Sequence, residues 1–178
     1  MRIVAGELGG RRLRAPRGDA VRPTTDRVRE ALFSILGDVG GLDVLDLYCG
    51  SGGLGLEALS RGARAVTLVD LDVAAVAANV ESLGVGDRVA VVRSDVLAFL
   101  RGDRGGHDLV LLDPPYRLAR PVGSELSKLI VPGLRRSARV VTESAAERPL
   151  DLDGELLPLR DERHYGRTLL RFHEAAAG

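Results

Sequence analysis

The tetrad Asp113-Pro114-Pro115-Tyr116 follows an apolar run, Asp108-Leu109-Val110-Leu111-Leu112, and its residue types read as chemistry. The Asp113 carboxylate can accept one hydrogen of an exocyclic amine. Two consecutive prolines remove two backbone donors and stiffen the loop. The Pro114 carbonyl then points outward as a second acceptor for the same amine, and Tyr116 offers a flat face to a base. A planar amine held between two acceptors can be pushed toward a methyl donor. The plainer alternative is a proline turn with a buried tyrosine, because Asp and Pro are common turn residues. The chain has only six aromatic residues among 178, and one of them stands here.

A second constellation lies upstream, in Asp46-Leu47-Tyr48-Cys49-Gly50-Ser51-Gly52-Gly53-Leu54-Gly55. Gly50, Gly52 and Gly55 satisfy the dinucleotide pattern G-x-G-x-x-G, and Asp70 stands 20 residues after Gly50, where a ribose-binding acid is expected. Taken alone, this means a nucleotide-like cofactor, and NAD is a fair candidate. Two acids shift the reading. Asp46, four residues before Gly50, suits a cationic or amine-bearing ligand and would repel a pyrophosphate. Ser94-Asp95 follows a later strand candidate, where an acid can accept from an adenine amino group. Either acid alone also has a structural reading, Asp95 as a helix N-cap and Asp46 as a surface charge.

These groups need elements to position them. Residues 1–20 read as a strand, a turn at Gly9-Gly10 and a returning strand. Pro23-Thr24-Thr25-Asp26 starts a helix that places Val28, Ala31, Leu32, Ile35 and Leu36 on one face and Arg27, Arg29 and Glu30 on the other. From residue 42, short apolar runs alternate with helical stretches. Strands are expected at 42–47, 65–69, 89–92, 109–112 and 139–142, with helices after the glycine loop, at 72–83, at 95–100 and at 124–134. That alternation means a parallel sheet with helices on both faces. Residues 155–159 and 168–172 read as an antiparallel pair at one edge, joined by a charged turn. The tetrad and the loop then share the carboxyl end of the sheet, where open α/β folds place their sites.

Composition limits the class. Hydrophobic residues make up 45% and charged residues 28%, the balance of one soluble domain. No run reaches the roughly 18 apolar residues of a membrane span. The start of the chain has no secretory character, so the expected location is the cytoplasm. Cys49 is the only cysteine, which leaves no intrachain disulfide and no cysteine-rich metal cage. It also invites a rival, cytosine methylation through a thiolate, but inside the loop it reads as a small packing residue. His107, His164 and His173 show no ligand spacing, and no metal is expected. Formal net charge is zero, yet the first 30 residues hold eight arginines against four acids, a net of +4, and the remainder carries −4. A basic arm on an acidic body suits a chain that touches phosphates.

Arg22-Pro23-Thr24-Thr25-Asp26-Arg27-Val28-Arg29-Glu30-Ala31-Leu32-Phe33 closely resembles the signature of the bacterial 16S rRNA guanine-N2 methyltransferase family. Arg2-Ile3-Val4-Ala5-Gly6, Gly10-Arg11-Arg12-Leu13 and Gly52-Gly53-Leu54-Gly55-Leu56-Glu57-Ala58-Leu59-Ser60-Arg61-Gly62 fit the same family, and Asp-Pro-Pro-Tyr is typical of S-adenosylmethionine-dependent amino-methyltransferases. The sequence departs mildly at Tyr48-Cys49. The resemblance implies a Rossmann-like class I methyltransferase fold, with a mostly parallel seven-stranded sheet, a small N-terminal β-hairpin and a helix. It implies an extension over residues 1–40 on the substrate side and a catalytic domain over 41–178. Asp46, Tyr48, Gly50, Gly52, Asp70 and Leu71 would hold S-adenosyl-L-methionine, with Asp95 and Val96 near its adenine. Asp113, Pro114, Pro115 and Tyr116 would hold the target amine and base. Arg22, Thr24, Asp26 and Arg27 would line the substrate side, and Arg11, Arg12 and Arg14 would grip rRNA phosphates. The implied partner is 16S rRNA within an assembled small-subunit particle, met by a monomer. The alternative is an amino-methyltransferase acting on DNA or another RNA.

Overall fold

The computed structural model describes residues 1–16, 25–103, 105–115 and 119–175. Seven strands form one sheet: β1 (Asp43–Leu47), β2 (Ala65–Asp70), β3 (Val89–Arg93), β4 (His107–Leu112), β5 (Leu134–Ala145), β6 (Leu159–Tyr165) and β7 (Thr168–Glu174). Their order is β3-β2-β1-β4-β5-β7-β6. The first five run parallel, and β7 is antiparallel to both β5 and β6. The fold is the α/β doubly wound sheet that the alternation of runs predicts.

The central strands are apolar because both of their faces are covered. One face packs Val44, Val66, Leu68, Leu109, Leu111 and Val141 beneath the N-terminal arm and three helices, α1 (Asp26–Leu36), α2 (Gly53–Ser60) and α3 (Ala74–Leu83). The other packs Leu45, Leu47, Val110, Leu112 and Val140 beneath α4 (Val96–Gly102) and α5 (Ala119–Ile130). Leu47 pairs with Val69 on one side and Leu112 on the other. The residues just past those strand ends therefore lie along one edge. Among the described residues, no helix is long and apolar enough to cross a membrane.

Helix α1 starts as its sequence predicts, with the Thr25 hydroxyl accepting from the Val28 N–H and Gly37 at the end with φ of 70°. Its faces need a correction. Phe33 and Arg29 are buried with Val28, Leu32 and Leu36, whereas Ile35 is exposed. Arg29 faces inward because carboxylate and carbonyl partners meet it there.

Other boundaries move for identifiable reasons. The expected hairpin forms, with Ile3 N donating to the Arg11 carbonyl at 2.9 Å and Leu13 N to the Met1 carbonyl at 3.1 Å around the bridge of Arg2 with Arg12, but it stays short because Val4, Ala5 and Leu8 are held by α2. Gly53 and Gly55 belong to the first turn of α2 and not to the loop before it. Helix α5 spans 119–130, and a short 3-10 turn, Val131–Gly133, containing Pro132 ends it early. The expected charged turn is strand β6 itself, with Arg160 to His164 inside it. An edge strand pairs on one side only, so charged residues are tolerated and discourage pairing with another chain. The apolar run before it is a turn whose Leu157 is buried under the sheet.

The arm shares a core with the sheet: Ile3 and Leu13 pack with Leu56 and Leu59. Most of the helix contacts to its main chain come from α2. The fully buried Glu57 carboxylate accepts from Val4 N at 2.6 Å, Ala5 N at 3.0 Å and Arg61 Nε at 2.8 Å. Ser60 accepts from Leu8 N through its hydroxyl at 2.9 Å and from Glu7 N through its carbonyl at 2.8 Å. Gly6 makes that contact possible. Its φ is +83°, and an added Cβ would sit 1.8 Å from the Ser60 carbonyl oxygen. Gly6→Ala is expected to cost about 3 kcal/mol of stability, from the left-handed backbone and the clash together. Urea unfolding measures it.

Candidate functional site

The glycine loop between β1 and α2 is shaped by two carboxylates. Asp46, at the end of β1, is fully buried and accepts from Gly55 N at 2.8 Å. Asp70, at the end of β2, accepts from Gly50 N at 2.8 Å and from Asp72 N at 3.2 Å. Gly52 has φ of +80°, and a Cβ there would meet Val76 at 2.7 Å and Leu56 at 3.0 Å. Only glycine lets the chain pass at that point. Tyr48 holds φ of 60° without being glycine, a strained conformation of the kind that collects at functional sites.

Burial pushes the Asp46 carboxyl up to about 7, and the Asp70 charge adds to the rise against the Gly55 hydrogen bond. In the unfolded chain the group ionises near pH 3.8. Between those two values the folded chain holds the extra proton, so stability falls as pH rises across the window and levels off above it. The melting temperature of Asp46→Asn should therefore gain on that of the unsubstituted chain from pH 4 to 7 and then run parallel. A difference independent of pH would contradict the burial. Tyr48 is pushed up to about 12 by burial, then by Asp95 and Asp70, so its phenol stays a donor. Burial, with Asp46 and Asp70 nearby, also drives the Cys49 thiol far upward. Cys49 is a buried packing residue and not a thiolate nucleophile.

The remaining cofactor candidates occupy neighbouring strand ends. Leu71 follows Asp70 and is 65% exposed, a free apolar face beside a carboxylate. Asp95 caps α4, accepting from Ala98 N at 3.0 Å with one oxygen. The Val96 side chain is buried, so only its main chain can face a ligand.

Across the sheet, Asp113 directly follows β4. Its N–H donates to the Leu47 carbonyl at 3.5 Å, which brings it level with the start of the glycine loop. Asp113 is half-buried, Pro114 is buried and Pro115 is exposed. Tyr116, Arg22 and Thr24 lie outside the described residues. Asp26 stands at the start of α1 with its carboxylate shared between Arg2 Nε at 3.0 Å and Arg29 Nη2 at 2.6 Å. Arg27, Arg11, Arg12 and Arg14 are exposed, and Arg11 also donates to the Ser82 carbonyl at 2.9 Å.

Three residues outside the predicted site set organise this region. Glu57 and Arg29 are buried charges. Asn79, on the buried face of α3, accepts from Arg14 N at 2.8 Å and donates to the Arg14 and Ser51 carbonyls at 3.0 and 2.9 Å. It thereby fastens the basic arm to the glycine loop. A polar residue at core spacing among Val76, Val80 and Leu83 was the available signal. The histidines stand elsewhere. His107 is buried at the start of β4, the far end from Asp113, and bonds Asp103 at 2.7 Å. His173 donates from Nδ1 to the Leu157 carbonyl at 2.9 Å, and His164 lies 3.3 Å from Glu162 on β6. Among the described residues, no group of three His, Cys, Asp or Glu side chains is placed to hold a metal ion.

Residues 1–174 match the family described as Conserved hypothetical protein 95. Ribosomal RNA small subunit methyltransferase D of Escherichia coli (strain K12) is 36% identical over 183 residues, covering 99% of this chain and 91% of that protein. The solved structure of the Escherichia coli protein yhhF superimposes with a TM-score of 0.84 at 35% identity, over 100% of this chain and 99% of that one. An RNA methyltransferase from Salinibacter ruber, solved with S-adenosyl-L-homocysteine, gives a TM-score of 0.67 at 20% identity, covering 86% of this chain and 94% of that one, which is a likeness of fold. With residues 1–174 matched and a relative 36% identical over 99% of its length, the chain belongs to the Conserved hypothetical protein 95 family, the family of ribosomal RNA small subunit methyltransferase D.

Proposed function

We propose that this chain transfers a methyl group from S-adenosyl-L-methionine to the exocyclic N2 of one guanine in 16S rRNA. The observation that carries the reading is a register. Leu112 pairs with Leu47, so the amine-accepting Asp113-Pro114 and the glycine loop of β1 stand side by side at one sheet edge. The name of the Escherichia coli relative points the same way for small-subunit rRNA.

The loop fits the cofactor. Asp70 has the chemistry for a ribose diol, Leu71 offers an exposed apolar face to an adenine, and buried Asp46 favours a cationic ligand. S-adenosyl-L-methionine, when bound, supplies an activated methyl group. Everything else falls to the chain. Guanine N2 is a poor nucleophile because its lone pair is spread into the ring. The base is extruded from its helix, as base-modifying enzymes require, and rests against Tyr116. Asp113 and the Pro114 carbonyl each accept one N2 hydrogen and aim the nitrogen. Pro115 keeps the loop stiff, and the Asp113 carboxylate stabilises positive charge as it develops on N2.

Asp26 and Arg27 border the substrate side, to which the motif also assigns Arg22 and Thr24 outside the described residues, and the exposed Arg11, Arg12 and Arg14 hold phosphates. Residues 1–40 form the rRNA-facing part and 41–178 the cofactor-binding part of a monomer that meets an assembled small-subunit particle in the cytoplasm. Replacing Arg12 and Arg14 with glutamine should raise KM for that particle, leave kcat within about twofold, and flatten the salt dependence by about 0.7–0.9 per arginine. The test of the reading is transfer of label from S-adenosyl-L-methionine to three acceptors: undermethylated small subunits, naked 16S rRNA and duplex DNA. Label in subunits supports it. Label in DNA alone would favour the alternative amino-methyltransferase.

A further inference from the structure

We propose that Arg29 is a positioning residue for methyl transfer, a buried tie that registers the substrate side of the site against the cofactor loop. The inference rests on the function proposed above. The Arg29 side chain is fully buried. Its Nη2 donates to the Arg2 carbonyl at 2.5 Å and to the Asp26 carboxylate at 2.6 Å. Its Nη1 would lie 3.4 Å from a Cβ placed on Gly53, the first residue of α2. Two further buried carboxylates, Glu57 of α2 and Glu143 of β5, act on the same guanidinium. One side chain thus bonds the arm and the start of α1 while lying against the first residue of α2, where the cofactor loop ends.

Packing alone does not call for this group. A buried ion pair stabilises no better than apolar residues of the same volume. What arginine adds is a rigid planar group whose Nη2 serves two segments while its Nη1 is held against the start of α2. The segments it serves matter for the reaction. Asp26 belongs to the motif assigned to the substrate side, and Gly53 borders the loop assigned to the cofactor. The carboxylates that shape the loop, Asp46 and Asp70, bond its amides without Arg29. The phosphate-gripping arginines are also separate from it. Loss of the fork should therefore misalign the bound partners without releasing either.

The test uses Arg29→Lys and Asp26→Asn in the full chain, with kcat and KM measured on undermethylated small subunits, cofactor affinity by calorimetry, and melting temperature. Arg29→Lys keeps the charge but loses the fork. The expected result is a fall in kcat of about tenfold, with KM and cofactor affinity each within about twofold. Asp26→Asn should show the same fall in kcat with cofactor affinity unchanged, any rise in its KM reporting its place on the substrate side, and the double variant should be no slower than the slower single one, because both remove one coupled unit. If Arg29→Lys does not fold, Arg29→Gln, which keeps a planar donor without the fork, takes its place under the same criteria. A folded variant with kcat within twofold of the unsubstituted chain overturns the proposal, as does a loss fully matched by weaker binding of subunits or cofactor. An unsubstituted chain that leaves subunits unlabelled would instead overturn the rRNA reading.

Discussion

Asp113→Ala is expected to lower kcat by roughly 10³-fold while leaving cofactor affinity within about twofold. The size follows from what the carboxylate does. In the proposed mechanism it accepts a hydrogen from the amine, orients the nitrogen and faces the positive charge that develops there, and removing one such group typically costs 10²–10³. The separation of the two effects follows from the fold. Asp113 lies past the end of β4, and the bonds that shape the cofactor loop come from Asp46 and Asp70 on β1 and β2. Asp113→Asn should retain part of the orientation but not the charge, and so fall between the two. Single-turnover rates with saturating cofactor check the first number, and calorimetry checks the second.

Asp70→Ala should produce the opposite pattern, weakening cofactor binding on the order of 10²-fold, with a smaller fall in the rate of the bound complex. Hydrogen bonds to a charged group contribute about 1.5–3 kcal/mol. Asp70 makes one to Gly50 N at 2.8 Å, so under the proposed ribose assignment its removal takes away a ligand contact and the brace of the loop together. Asp70→Asn keeps an acceptor and should recover part of the loss. If Asp70→Ala binds cofactor normally, the ribose assignment is wrong even though the fold stands.

What could be read in advance follows the physics of each signal. The parallel strands were legible because strands covered on both faces are short apolar runs, and the glycine loop because few residues other than glycine fit its turns. Asp46 and Asp70 were found from their places at strand ends, and the register of β1, β2 and β4 then brings those ends together. Arg29, Glu57 and Asn79 were not legible in this way. A charged or amide side chain in a helix is assigned outward by periodicity, and each of these is buried where partners from a distant part of the chain meet it, the Arg2 carbonyl in the case of Arg29. Those partners are largely main-chain groups of the arm, which carry no sequence signal. Strand β6 was displaced for a related reason. Its charged residues read as a turn, and only its place at the sheet edge makes them a strand.

The measurement that tests the account most directly is the identity of the methylated nucleoside. Small subunits lacking the modification, labelled by this chain and S-adenosyl-L-methionine, would be digested and their nucleosides separated, with Asp113→Ala run in parallel. The account predicts label in N2-methylguanosine alone and its loss in the variant. Label in a methylated adenosine or cytidine, or label that persists in Asp113→Ala, would contradict it.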